Sequence, residues 1–277
     1  MKYIAVLIVL FSPALAGAQT QSCCASPTAQ FAAFTGDRGF VMAHDEPLPA
    51  PSVTYAGQMT SFKTSDGGQG SAYAVVAAKP TKKYLFVVHE WWGLNDYIKQ
   101  EADRLQKELG NVNVLALDLY DGQVASKRED AAKLMGGVKE ERVRTIIEGA
   151  LEHAGEDARV ATIGWCFGGG WSLQSSILAG FRAAACVMYY GMPEKEVEKL
   201  KHLNAPVLGI FATKDAWITP QVVKEFEAAM KKAGKKLTVR SYNADHAFAN
   251  PSNPNFDKEA TGKAHAEAIA FLKKHLK

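Results

Sequence analysis

Ala158-Arg159-Val160-Ala161-Thr162-Ile163-Gly164-Trp165-Cys166-Phe167-Gly168-Gly169 runs from an apolar stretch, through a glycine-flanked cysteine, into a helix-like segment over residues 169–178. This is the layout of a nucleophile elbow, a sharp strand-to-helix turn with small residues on both sides of a reactive side chain. Such a turn strains the backbone at the reactive residue, and a Cβ nearby would clash, which is why glycines flank it. The helix that follows offers free N–H groups and the positive end of its dipole, both of which favour a thiolate. Taken alone, a glycine-rich turn around a buried cysteine fits the same letters equally well.

Residues further along the chain separate the two readings. An elbow requires an acid and then a histidine, each on a loop after a strand. Val207-Leu208-Gly209-Ile210-Phe211-Ala212 reads as a buried strand, and Thr213-Lys214-Asp215 follows at once. Leu237-Thr238-Val239-Arg240-Ser241-Tyr242 alternates as a second strand, with Asn243-Ala244-Asp245-His246 after it. Asp215 also fits a helix N-cap, and His246 a surface position. Yet Cys166, Asp215 and His246 come in the required order, each just past the carboxyl end of a strand, where open parallel sheets gather their chemistry.

The remaining chain continues the alternation. Residues 58–64 and 72–78 read as strands joined by the turn Ser65-Asp66-Gly67-Gly68, a hairpin signal. Residues 84–89 and 112–117 read as buried strands, separated by a helix that Asn95-Asp96 caps and Gly110 stops. Helical periodicity covers residues 127–135, 139–153, 221–233 and 258–276, with a strand at 184–189. Strands and helices alternating in this way predict a mostly parallel sheet covered on both faces, with the hairpin at one edge. The expected architecture is an α/β-hydrolase fold.

A positive residue followed by the apolar run at 3–11 and small residues to 18 reads as a cleavable signal peptide, with Ala14-Leu15-Ala16 and Ala16-Gly17-Ala18 both fitting the cleavage pattern. The run is too short to span a bilayer. The expected organisation is a signal peptide at 1–18, an extended or loosely packed leader at 19–52, and the hydrolase domain at 53–277, with a periplasmic or secreted mature protein. Thr20-Gln21-Ser22 before Cys23 disfavours a lipid anchor there, and adjacent Cys23 and Cys24 have no evident disulfide partners. A net charge of +3 gives no reason to expect nucleic acid as a partner. The seven histidines show no metal-ligand spacing, so neither metal nor organic cofactor is expected. Nothing in the pattern specifies an oligomer.

Together, His89-Glu90-Trp91-Trp92-Gly93-Leu94-Asn95, Leu117-Asp118-Leu119-Tyr120, the elbow, Tyr189-Tyr190-Gly191 and Asp245-His246-Ala247-Phe248 resemble the dienelactone hydrolase family, α/β-hydrolases with a cysteine nucleophile. The resemblance implies Cys166 as nucleophile, His246 as its base and Asp215 as the group orienting the imidazole. It implies that Glu90 pairs with the resting thiol; a carboxylate there raises the cost of ionising Cys166 and protects it from oxidation. The backbone N–H groups of Phe167 and Trp91 would form the oxyanion hole. Trp92 fits a pocket wall and the core equally.

The family's dienelactone-processing members hold a substrate carboxylate with two arginines. Arg128 falls where the first would lie, a position that also suits a surface helix residue, and Asn250 stands where the second belongs. An amide supplies no charged fork. The resemblance therefore implies a small-molecule ester or lactone with an altered substrate, cleaved through an acyl-cysteine intermediate. The competing reading is a binding protein that keeps the fold without the chemistry; the intact set Cys166, Asp215, His246 and Glu90 argues against it.

Overall fold

The computed structural model describes residues 25–253 and 255–277. Cys23, Cys24 and the signal-peptide reading lie outside the described residues. Eight strands form one sheet: β1 (Gln58–Lys63), β2 (Gln69–Val75), β3 (Lys83–Val88), β4 (Asn113–Asp118), β5 (Arg159–Trp165), β6 (Ala183–Tyr189), β7 (Val207–Ala212) and β8 (Leu237–Tyr242). Their order across the sheet is β1-β2-β4-β3-β5-β6-β7-β8. The hairpin of β1 and β2 pairs antiparallel and joins β4 antiparallel, while every pairing from β4 to β8 is parallel. The α/β-hydrolase architecture read from the sequence is the one observed.

The central parallel strands are largely apolar runs because both faces are covered, whereas β8 at the edge alternates. Leu85, Phe86, Val87 and Val88 of β3 are all fully buried, as are the seven residues of β6. Helices α3 (Asp96–Leu109) and α9 (Lys258–His275) pack side by side on one face, and α5 (Glu140–Ala154) packs with α6 (Phe167–Ala179) on the other. Asn95 caps α3 by accepting the Ile98 N–H, and Thr219 caps the helix at Pro220–Lys232, so Asp215 binds the turn before it through one oxygen and keeps the other for another partner.

The site is positioned by the sheet order. From β3 the chain crosses to β4 on one side and returns to β5 on the other, so the connections leaving β3 and β5 diverge at neighbouring carboxyl ends. A crevice opens where connections part in this way. Val88 pairs with Gly164 in register, which brings Glu90 and Trp91 after β3 level with Cys166 after β5.

Residues 25–44, expected to be extended or loosely packed, are neither. Ser26 caps a helix at Pro27–Ala33, a 3-10 turn follows at Phe34–Gly36, and Asp37 caps a second helix at Arg38–Met42. Each is too short to stand alone in water. They are held by burial of Phe31 and Phe40 in the main core. Asp37 also accepts the Trp217 indole N–H at 3.0 Å, and Asp45 pairs with Arg128 at 3.3 Å.

Candidate active site

Cys166 sits between β5 and α6 with φ 57° and ψ −120°. Glycine is the only residue that accepts the neighbouring positions: a Cβ on Gly164 would overlap the carbonyl of Gly168, and one on Gly168 would overlap the carbonyls of Val88 and His89. The elbow is thus wedged against the end of β3. Tyr190 (φ 33°) and Ala247 (φ 61°) share this unfavourable backbone region, so strain gathers around one centre.

His246 follows β8 and places Nδ1 2.6 Å from Oδ2 of Asp215, which follows β7. The other Asp215 oxygen accepts the backbone N–H groups of Trp217 and Ile218, both at 2.9 Å, so the carboxylate is fixed from both sides. Burial pushes the Asp215 carboxyl up, but the imidazole and those two donors outweigh it and leave it below its ordinary value. Burial alone would lower His246; the Asp215 carboxylate prevails and holds it at about 10. With Nδ1 committed to Asp215, the ring turns Nε2 inward, where it has no other protein partner within hydrogen-bond geometry. Burial raises the Cys166 thiol, and His246 beside it works in the opposite direction.

Glu90 is buried at the end of β3. Its Oε2 accepts the Asn250 side-chain amide at 2.5 Å, and its Oε1 accepts the Tyr190 hydroxyl at 3.4 Å. Burial raises this carboxyl to about 7. Trp91 is fully buried, and the first-turn N–H of Phe167 lies at the α6 terminus, where such groups lack intrahelical acceptors. Its neighbour Trp92 lines a cavity of about 140 Å³ together with Glu90, Trp165, Tyr189 and Asn250. Arg128 does not reach that cavity. It opens the helix at Arg128–Gly136 and its guanidinium is engaged by Asp45 and the sulfur of Met42, a pairing that ties down the N-terminal segment.

The structure therefore brings Cys166, Asp215, His246 and Glu90 together, while the Arg128 guanidinium is engaged by Asp45 and Met42. It adds Tyr190 and His44, which the sequence reading did not place at the site, and it turns Asn250, read where an arginine would stand, onto Glu90. Tyr190 and Asn250 hold Glu90, and His44 arrives from the N-terminal segment, with one ligand-type atom each from His44, Cys166 and His246 lying within 4.8 Å of one another. These three are the group among the described residues whose donors could gather at a metal ion. His89, although adjacent to Glu90, is employed structurally: Nδ1 donates to the Glu90 carbonyl at 2.6 Å and Nε2 accepts the Leu119 N–H at 3.2 Å.

A buried thiol on a strained strand-to-helix turn, facing an imidazole paired with a carboxylate, on this sheet order, defines an α/β-hydrolase. The chain belongs to the dienelactone hydrolase family, whose model matches residues 71–276. It is 29% identical over 230 residues to the carboxymethylenebutenolidase of a Pseudomonas species, covering 77% of this chain and 94% of that one. To carboxymethylenebutenolidase 1 of Cupriavidus pinatubonensis it is 27% identical over 220 residues, 74% of this chain and 92% of the other. Among solved structures, a dienelactone hydrolase-like promiscuous phosphotriesterase from metagenomic libraries shares the fold with a TM-score of 0.68 at 19% identity, covering 79% of this chain and 99% of that one. Dienelactone hydrolase from Anabaena variabilis does so with a TM-score of 0.58 at 18% identity, 80% of this chain and all of the other. The protein is an enzyme of the hydrolase class.

Proposed function

We propose that this protein is an exported hydrolase that opens a small carboxylic ester or lactone through an acyl-cysteine intermediate. The observation that carries the reading is the orientation of His246, whose Nδ1 is fixed by Asp215 so that Nε2 faces the Cys166 side of the site. His246 draws the thiol proton and the thiolate attacks the ester carbonyl. The Phe167 and Trp91 N–H groups receive the tetrahedral oxyanion. Collapse expels the alcohol with the proton from His246 and leaves the acyl group on sulfur. His246 then takes a proton from water, and the acid is released.

Glu90 keeps the resting thiol from ionising, and Trp92 walls the cavity that opens beside Glu90. The relatives' name, carboxymethylenebutenolidase, favours a lactone with a conjugated side chain. Asn250 in place of an arginine and Arg128 paired to Asp45 favour a substrate without a carboxylate. Export rests on the apolar N-terminal run and its small-residue sites.

The test is a burst experiment with p-nitrophenyl acetate and intact-mass analysis after quenching. A nitrophenol burst with one acetyl group mapped to Cys166, absent in Cys166→Ala, is the expected result. Full turnover by Cys166→Ala would overturn the mechanism. For export, N-terminal sequencing of protein from periplasmic extract should begin near Gly17 or Gln19; an intact Met1 would contradict it.

A further inference from the structure

The family match begins at residue 71, yet a side chain from residue 44 reaches the reactive centre. His44 is 2% exposed and sits between Phe40 and Trp91, with ring centroids 4.4 and 4.5 Å away. Its Nδ1 donates to the Phe40 carbonyl at 2.7 Å. Nε2 is therefore left as a lone-pair acceptor in the neutral ring. Burial supports that state, since it lowers His44 to about 3.

That acceptor is buried and has no partner, and it stands beside the buried Nε2 of His246. The two rings lie 5.3 Å apart, near edge-on. Buried acceptors are normally satisfied, and an orphan calls for a specific explanation. This one is also held in place with care. Phe40 packs edge-on to Trp91 and Trp217, Asp37 ties to the Trp217 indole, and Asp45, next in sequence to His44, ties to Arg128. A segment built to be so fixed, with its one free acceptor turned toward sulfur and a general base, points to a hydrogen-bond donor that arrives during the reaction.

We propose that His44 holds the water that cleaves the acyl-enzyme, an assignment that rests on the acyl-cysteine reading above. In this step the water oxygen bonds to the acyl carbon and one water proton passes to Nε2 of His246. The second hydrogen is held by Nε2 of His44. The C–S bond breaks as the tetrahedral intermediate collapses, releasing the carboxylic acid and restoring the Cys166 thiolate beside the His246 imidazolium. Two acceptors on the two hydrogens of one water leave its lone pair aimed at the carbonyl, which is a positional advantage. Acylation needs no water and gains nothing from His44.

The experiment separates the two steps in the full chain. Acylation is followed by nitrophenol release from p-nitrophenyl acetate, and deacylation by decay of the acetyl mass after a single turnover. His44→Phe keeps the ring and removes the acceptor; it should slow deacylation on the order of 10- to 100-fold and leave acylation within about twofold. His44→Gln returns an acceptor oxygen and should recover part of the loss. Equal slowing of both steps with a lowered Tm would mark a packing role and overturn the assignment, as would unchanged deacylation in His44→Phe. An acetyl group that never forms on the wild-type protein would instead overturn the acyl-cysteine reading, and the role of His44 with it.

Discussion

The side-chain amide of Asn250 donates to Oε2 of Glu90 at 2.5 Å, linking the loop after β8 to the end of β3 across 160 residues of sequence. Among the described residues, an uncharged amide is the one nitrogen donor to Glu90, the second donor being the Tyr190 hydroxyl. Neither neutralises a carboxylate. The consequence is that burial dominates, and the group titrates at about 7.

That displacement makes folding stability depend on pH in a defined window. The folded-state value lies above the ordinary 4.5, so the folded protein binds the Glu90 proton more tightly than the unfolded chain. The contribution is fully present below about 4.5, is lost as pH rises through about 7, and amounts to roughly 3 kcal/mol across that interval. Thermal unfolding of wild-type protein should show this decline, and Glu90→Gln should flatten it. Parallel pH profiles for the two proteins would contradict the burial of Glu90 as described.

Asp215→Asn tests the orientation of His246. The amide keeps an oxygen for the Trp217 and Ile218 N–H groups but turns an NH2 toward Nδ1, which forces the ring to carry its hydrogen on Nε2. The base is then protonated at the position meant to accept. Turnover should fall about 10²- to 10⁴-fold with little change in fold. The Cys166 thiol also loses the base that draws its proton, so alkylation by iodoacetamide at neutral pH should slow. Alkylation as fast as in the wild type would show that His246 does not set the thiol.

Phe40→Ala addresses the N-terminal segment. The ring is fully buried against Trp91, Trp217 and His246, so its loss should cost about 3–5 kcal/mol. Because the cost falls on a peripheral segment, it should release residues 25–44 before the main sheet unfolds. Thiol titration should then find Cys166, 1% exposed in the intact structure, more reactive at temperatures well below the global transition. Unaltered thiol reactivity with a single lowered transition would mean that the segment and the sheet unfold as one unit.

The centre of the sheet was legible because its strands are apolar runs bounded by turns; β7 falls where that pattern places it, and β8 where its alternation does. Cys166, Asp215 and His246 were legible through order and position after strands. His44 was not, since a seven-residue and a five-residue helix carry too little periodicity to register, and the contacts that stabilise them lie far away in sequence. Ser26-Pro27 and Asp37 were the signals available, a capped proline start and a second cap. The pairing of Arg128 was not legible for a related reason: its partner, Asp45, belongs to that same unread segment.

Two glycines give a final contrast that depends on packing alone. Gly262 lies in α9 with open space where a Cβ would stand, so Gly262→Ala should stabilise the protein by about 0.5–1 kcal/mol through lower helix entropy. Gly164 faces the backbone of Gly168 and the side chain of Val88, and backbone yields far less readily than a flexible side chain. Gly164→Ala should therefore cost roughly 1–3 kcal/mol or more and misalign the turn that carries Cys166. Denaturant titration of both variants measures the difference, and nitrophenol release reports the misalignment. A Gly164→Ala protein with wild-type stability and burst would show that the turn is not wedged against β3, and the geometric basis for the strained cysteine would fall.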